Sequence, residues 1–90
     1  MDKSHRHLER IVRGFSNHRR IQMLELLDAK PDLDVTGIAR AAGMNYKTVS
    51  EHVRRLAIAG LVLKKAKGTH VQHALSPRGR TILKFLRTLE

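Results

Sequence analysis

Seven side chains able to hydrogen-bond beyond the protein surface crowd into ten positions: Tyr46, Lys47, Thr48, Ser50, Glu51, Arg54 and Arg55. An arginine fork can grip a guanine edge, a carboxylate can accept from cytosine, and Ser or Thr suits several bases. A second group, Lys64, Lys65 and Lys67, offers compact positive charges to phosphate oxygens, and each such contact releases condensed counterions. Arg19 and Arg20 add to this group if the segment they open lies near the same backbone. Together these residues support non-covalent recognition of a polyanion with readable edges, which is the chemistry of double-stranded DNA. Two of them have a plainer use: Tyr46 can pack against the preceding turn, and Glu51 stands at helical spacing to pair with Arg54 and Arg55.

No set of residues competes with this one. There is no cysteine, so disulfides, thiolate metal sites and thiol catalysis are excluded. His5 and His7 fall on different faces of a helix, His70 and His73 fall on opposite faces of a strand, and no third ligand stands near either pair. His52 suits a backbone bond or a phosphate contact better than a metal. Asp28, Asp32 and Asp34 read as loop acidity around Pro31. Phosphate-cradling glycine loops, HExxH and GxSxG are all missing, so neither an enzyme nor a cofactor is expected.

Charge points the same way. Among 90 residues, 18 Lys and Arg outweigh 8 Asp and Glu, for a formal charge of +10, which implies a polyanionic partner. The chain is long enough for one domain with one core. With only Phe15, Tyr46 and Phe85 as aromatics, that core must be aliphatic. The longest apolar run, residues 56–63, is too short to span a membrane and no signal peptide is visible, so a soluble cytoplasmic protein is expected.

The elements that must position these side chains follow from periodicity. Residues 2–15 carry Leu8, Ile11, Val12 and Phe15 at helical spacing, with Gly14 weakening the end. Ser16 and Asn17 can cap a helix over about residues 18–29. Its stripe is Ile21, Leu24 and Leu27, widened by Met23 and Leu26, and Pro31 stops it. Asp34 can cap a helix over about 35–42, in which Ile38 and Ala42 face the core and small Ala39 lets the next helix approach closely. Gly43 tolerates the left-handed turn that follows, and Asn45 can cap a helix over about 46–59. In that helix Val49, Val53 and Leu56 share the apolar face, and Gly60 ends it. The period then changes to two. Residues from Leu61 and 70–75 read as strands around a Gly68 turn, with a basic tip. Ser76-Pro77 opens a last helix lined by Ile82, Phe85, Leu86 and Leu89. The fold class is therefore mainly α with a small β-hairpin, in the order helix-helix-helix-helix-strand-strand-helix. A tight helix pair followed by a hairpin is a winged helix-turn-helix, with the second helix of the pair free to enter a major groove.

At this level the chain resembles a known group. TVSEHVRRLAIAGLV, with IARAAG before it and SNHRRIQMLELL upstream, is similar to the small winged-helix repressors of the ArsR type, while HALSPRG is more like the end of a MarR-type wing. The resemblance covers about residues 15–89 and implies a DNA-binding regulator, probing the groove with the recognition helix and the backbone with the wing. It also implies that the terminal helices build a homodimer, with Leu8, Ile11, Val12 and Phe15 against Ile82, Phe85, Leu86 and Leu89 across a two-fold axis; the alternative is that these residues close the monomer's own core. One departure matters. Metal-sensing ArsR-type proteins carry a cysteine pair in the helix before the recognition helix, which here reads VTGIARAA, so sensing at that site is ruled out. MarR-type proteins are longer, with extra helices around a ligand pocket, and no small-molecule effector is expected. The resulting expectation is a dimeric, sequence-specific regulator of double-stranded DNA, a repressor if it occludes a promoter. The rivals are a sequence-tolerant architectural nucleic-acid binder and a protein–protein adaptor.

Overall fold

Five side-chain caps set the helix starts in the computed structural model, which describes residues 4–90; the expected beginning of the first helix at Asp2 lies outside the described residues. Ser4 caps α1 (His5–Phe15), Asn17 caps α2 (His18–Ala29), Asp34 caps α3 (Val35–Ala42), Asn45 caps α4 (Tyr46–Ile58) and Ser76 caps α5 (Pro77–Arg87). Each accepts from an amide that the helix itself cannot satisfy. Between α4 and α5 run β1 (Val62–Lys67) and β2 (His70–Leu75), antiparallel, with Val62 opposite Leu75 and Lys67 opposite His70. The expected fold class and element order are those observed.

The core gathers one face from every element. Met23, Leu24 and Leu27 of α2 are buried against Ile38 and Ala39 of α3 and against Val49, Val53 and Leu56 of α4. Leu61, Val62, Leu75 and Leu83 close it from the hairpin and α5. Its aliphatic character follows from the scarcity of aromatics, with Phe15 the one aromatic ring inside. Three apolar assignments shift. Met23 is fully buried while Ile21 is only half-buried, so the stripe of α2 is rotated from the expected one. Ala39, the small residue expected to let α4 approach closely, is buried, while Ala42, expected to face the core, is only half-buried. In α5 the deepest residue is Leu83, with Ile82 and Leu86 flanking it.

Two glycines do work beyond turn-making. Gly14 is buried where α1 crosses α4, and a Cβ there would overlap the Ala59 methyl. It therefore permits a close helix crossing, which is a different role from weakening a helix end. Gly79 in the first turn of α5 lies against the Leu61 carbonyl, again with no room for a Cβ. Left-handed backbone falls at Gly43 (φ 66°), Gly60 (φ 76°) and Gly68 (φ 62°), and at one non-glycine, Asp32 (φ 72°). At the second, the Leu61 amide donates to the Leu56 carbonyl (2.9 Å), which makes Leu61 part of the helix end and delays β1 to Val62.

The loop after Pro31 forms a short third edge to the sheet. The Asp32 amide donates to the His73 carbonyl (2.9 Å), and the His73 amide donates to the Leu33 carbonyl (3.0 Å). His73, only 2% exposed, bonds the same Leu33 carbonyl through Nδ1 (2.9 Å). A carbonyl only accepts, so Nδ1 carries the proton, and this histidine is a satisfied structural group.

Candidate nucleic-acid interface

The turn between α3 and α4 aims α4 outward. Gly43 reverses the chain, Asn45 Oδ1 accepts from the Thr48 amide (2.8 Å), and burial of Val49, Val53 and Leu56 fixes the helix's rotation. The opposite face then carries Tyr46, Lys47, Thr48, Ser50, Glu51, Arg54 and Arg55, all exposed. Tyr46, at 59% exposed, stands at the helix start beside Lys64 of the hairpin, in a groove that also touches Val35 and Thr36 of α3.

Glu51 organises the middle of this face. Arg54 donates to both of its oxygens, from Nε to Oε2 (3.0 Å) and from Nη2 to Oε1 (2.9 Å), and Arg55 Nε adds a third bond to Oε1 (3.2 Å). The Arg54 hydrogen bonds, then the charges of both arginines, hold the Glu51 carboxyl down at about 2. The two forks are thus pre-set on one carboxylate, and the helical-spacing role of Glu51 is present in the free protein.

The wing lysines do not form one patch. Strand alternation puts Lys64 on one face and Lys65 and Lys67 on the other. Lys64 faces the groove beside Tyr46, whereas Lys67 borders an opening shared with Asp32, Asp34 and His70. The Asp34 carboxylate caps α3 through the Gly37 amide (2.7 Å) and also meets His70 Nδ1 (3.2 Å), tying the hairpin tip to α3. The Gly37 bond is the main reason the Asp34 carboxyl sits below the usual carboxylate range.

On the other flank of α4 lies a group the motif alone does not reveal. Arg20 reaches from α2 to His52 Nδ1 (3.3 Å) with Nη1 and to the Arg13 carbonyl (3.2 Å) with Nη2, linking α1, α2 and α4. The signal available in the sequence was Asn17, whose capping of the Arg19 and Arg20 amides fixes both arginines in the first turn of α2. Among the described residues, no group of three or more His, Asp or Glu could hold a metal ion, and no helix is long and apolar enough to cross a membrane.

The terminal helices divide their apolar residues. Phe15 packs into the protomer's own core, and Ile11, Ile82 and Leu86 are half-buried against it. Leu8, Val12, Phe85 and Leu89 remain exposed, the last two at 54% and 66%.

Comparison with known proteins fits this geometry. A helix-turn-helix (HTH)-type transcriptional regulator of Mycobacterium tuberculosis, Rv0324, is 36% identical over 67 residues, which are 74% of this chain; the chain spans only 29% of that relative's length. The homodimeric winged helix-turn-helix DNA-binding domain Mb0332 of Mycobacterium bovis, a possible ArsR-family regulator, superposes with a TM-score of 0.83 at 27% identity, covering 99% of this chain and 88% of that one. The Staphylococcus aureus MepR–DNA complex shares the fold (TM-score 0.76, 18% identity, 92% and 72% covered). Residues 17–64, from the cap of α2 to the first lysine of the hairpin, match the bacterial regulatory proteins of the arsR family, and the chain belongs to that family, a winged helix-turn-helix domain of the DNA-binding transcriptional regulators.

Proposed function

We propose that this chain works as a homodimer that reads a palindromic double-stranded operator, and that it represses by covering a promoter. The observation that carries the reading is the outward face of α4, polar from Tyr46 to Arg55 and held rigid by Asn45 at its start and a buried aliphatic face beneath. Lys47, Ser50, Glu51 and Arg54 would meet base edges, with Tyr46 and Thr48 at the groove margin. Arg55 and the lysines of β1 would meet phosphates. Splitting Lys64 from Lys65 and Lys67 suits a hairpin that straddles a strand of the duplex, with one face toward the groove and one toward the backbone.

Dimerisation through α1 and α5 is supported by exposed Leu8, Val12, Phe85 and Leu89 and by the homodimeric state of the Mycobacterium bovis domain. A two-fold axis there would set the two copies of α4 roughly 34 Å apart, one turn of duplex. The reading assigns no catalytic step, cofactor, membrane contact or small-molecule effector to these residues.

Selection of bound sequences from a random duplex pool at physiological salt tests this directly. A palindrome with half-sites one turn apart is the expected recovery. Tight binding without a consensus would replace the operator reader by a sequence-tolerant architectural binder, and no binding at all would point to a protein–protein adaptor.

A further inference from the structure

Beyond the helix face aimed at the groove, the flank of α4 that meets α2 holds a second set of groups. Arg20 Nη1 meets His52 Nδ1 (3.3 Å), Arg19 precedes Arg20 in the first turn of α2 with its Nη1 donating to Gln22 Oε1 (3.2 Å), and Arg55 follows His52 by three residues on α4 with its Nε donating to Glu51 Oε1 (3.2 Å). The Arg19 and Arg20 amides take no part, because Asn17 Oδ1 already accepts from both (2.9 and 3.2 Å).

The Arg20–His52 contact fixes the chemistry of the ring. A guanidinium has donors and no acceptor, so Nδ1 of His52, 3.3 Å from Nη1, must present its lone pair. A neutral imidazole with Nδ1 accepting carries its proton on Nε2. That atom bonds nothing among the described residues, and it is not among the buried unpartnered atoms, so it reaches solvent as a donor. Arg20 is itself anchored at the Arg13 carbonyl and cannot easily release the ring.

We propose that Arg19, the Nε2–H of His52 and Arg55 form a binding site for a DNA backbone phosphate beside the recognition helix, with Arg20 as the positioning residue that fixes the His52 tautomer. The site rests on the DNA-binding reading above and extends it from Arg55, at the edge of the helix face, to His52 and the first turn of α2. It mixes two kinds of donor. Arg19 and Arg55 bring formal charge and displace counterions, whereas neutral His52 brings a hydrogen bond and displaces none.

That difference is the test. Binding of the full chain to one duplex is measured across a salt series at pH 8 for the parent, Arg19→Ala and His52→Ala. Both variants are expected to weaken binding about tenfold, the worth of one charge-assisted hydrogen bond. Only Arg19→Ala should lower the slope of log K against log salt, by about 1. In parallel, ring ¹⁵N shifts of His52 in the free protein should show an unprotonated Nδ1 and a protonated Nε2, and Arg20→Met should convert this to a tautomer mixture. The ring shifts need no variant to fold and no DNA. Parent binding with neither variant weakened would overturn this site alone, as would a tautomer mixture in the parent. A lower slope for His52→Ala would mean that the ring binds as a cation, which also overturns it. Absence of parent binding would remove the DNA reading itself, and this site with it.

Discussion

On the proposed function, Glu51 is the residue whose removal should separate affinity from selectivity. In the free protein it occupies Arg54 with two bonds and Arg55 with one. Glu51→Ala would release both forks toward phosphates and remove a carboxylate that repels the duplex. Binding to random DNA is expected to tighten while the ratio of operator to random binding falls, measured by competition at fixed salt. Arg54→Ala should relax preference at one base position, and Lys65→Ala should weaken all sequences alike with a salt slope smaller by about 1. Equal behaviour of these two variants would remove the division between base reader and phosphate contact. Since Glu51 is held at about 2, its own titration lies below the working range. His52 is different. Burial first, then the charge of Arg20, lowers its pKa below the ordinary 6.5. A group depressed in the folded state contributes stability that is complete above its unfolded pKa and is lost as pH falls through the folded one. Parent and His52→Gln unfolding curves should therefore run parallel above about pH 7.5 and converge toward pH 5, with the parent losing more.

At the scale of elements, close crossings set what the fold tolerates. Gly14→Val would drive a branched side chain into Ala59 and part α1 from α4. Overpacking of this kind costs about 1–3 kcal/mol, so chemical denaturation should report a midpoint shift in that range. Asn45→Ala removes the α4 cap and should cost about 1 kcal/mol, with a matching loss of DNA affinity if the helix start carries the recognition residues as proposed. Legibility also belongs to this scale. The spans of α2 and α3 were plain in the sequence, since Asn17, Asp34, Pro31 and Gly43 mark their ends locally. What was not plain depended on neighbours far along the chain. Leu83 rather than Phe85 fills the core because α5 is rotated by the seat of Gly79 on the Leu61 carbonyl, a contact with no local signature. The Leu33–His73 pairing joins residues forty positions apart, and His73 gives no sequence cue that separates it from exposed His70. Likewise the polar face of α4 was readable from its spacing, but the clamp on His52 requires knowing that α2 lies beside α4.

For the whole molecule, the question is what covers Leu8, Val12, Phe85 and Leu89. If α1 and α5 pair across a two-fold axis, Phe85→Ser together with Leu89→Ser should leave a folded monomer at concentrations where the parent is a dimer, as read by sedimentation equilibrium. Affinity for a palindrome should then fall by at least ~10²-fold, while affinity for a single half-site is retained. A monomeric parent, or no change on substitution, would return these residues to ordinary surface. Because α2 is tied to α5 by Arg87, which grips Glu25 (2.8 Å) and Asp28 (2.9 Å), a dimer seam at α5 would be mechanically continuous with the helix-turn-helix.

The bridge between Leu33 and His73 gives the hairpin the mechanics of a cantilever. Its root is clamped on both sides, by buried Val62 and Leu75 and by the extra rung to the loop before α3. Beyond Lys64 every residue of β1 is exposed, and among the described residues the Asp34–His70 contact is the one polar tie between the tip and the start of α3. Amide exchange should be graded accordingly, slow at His73 and fast from Lys67 through His70. A beam anchored at one end can sweep its free end along a curved surface without disturbing its support, so a single wing could follow duplexes of different bend while α4 stays seated.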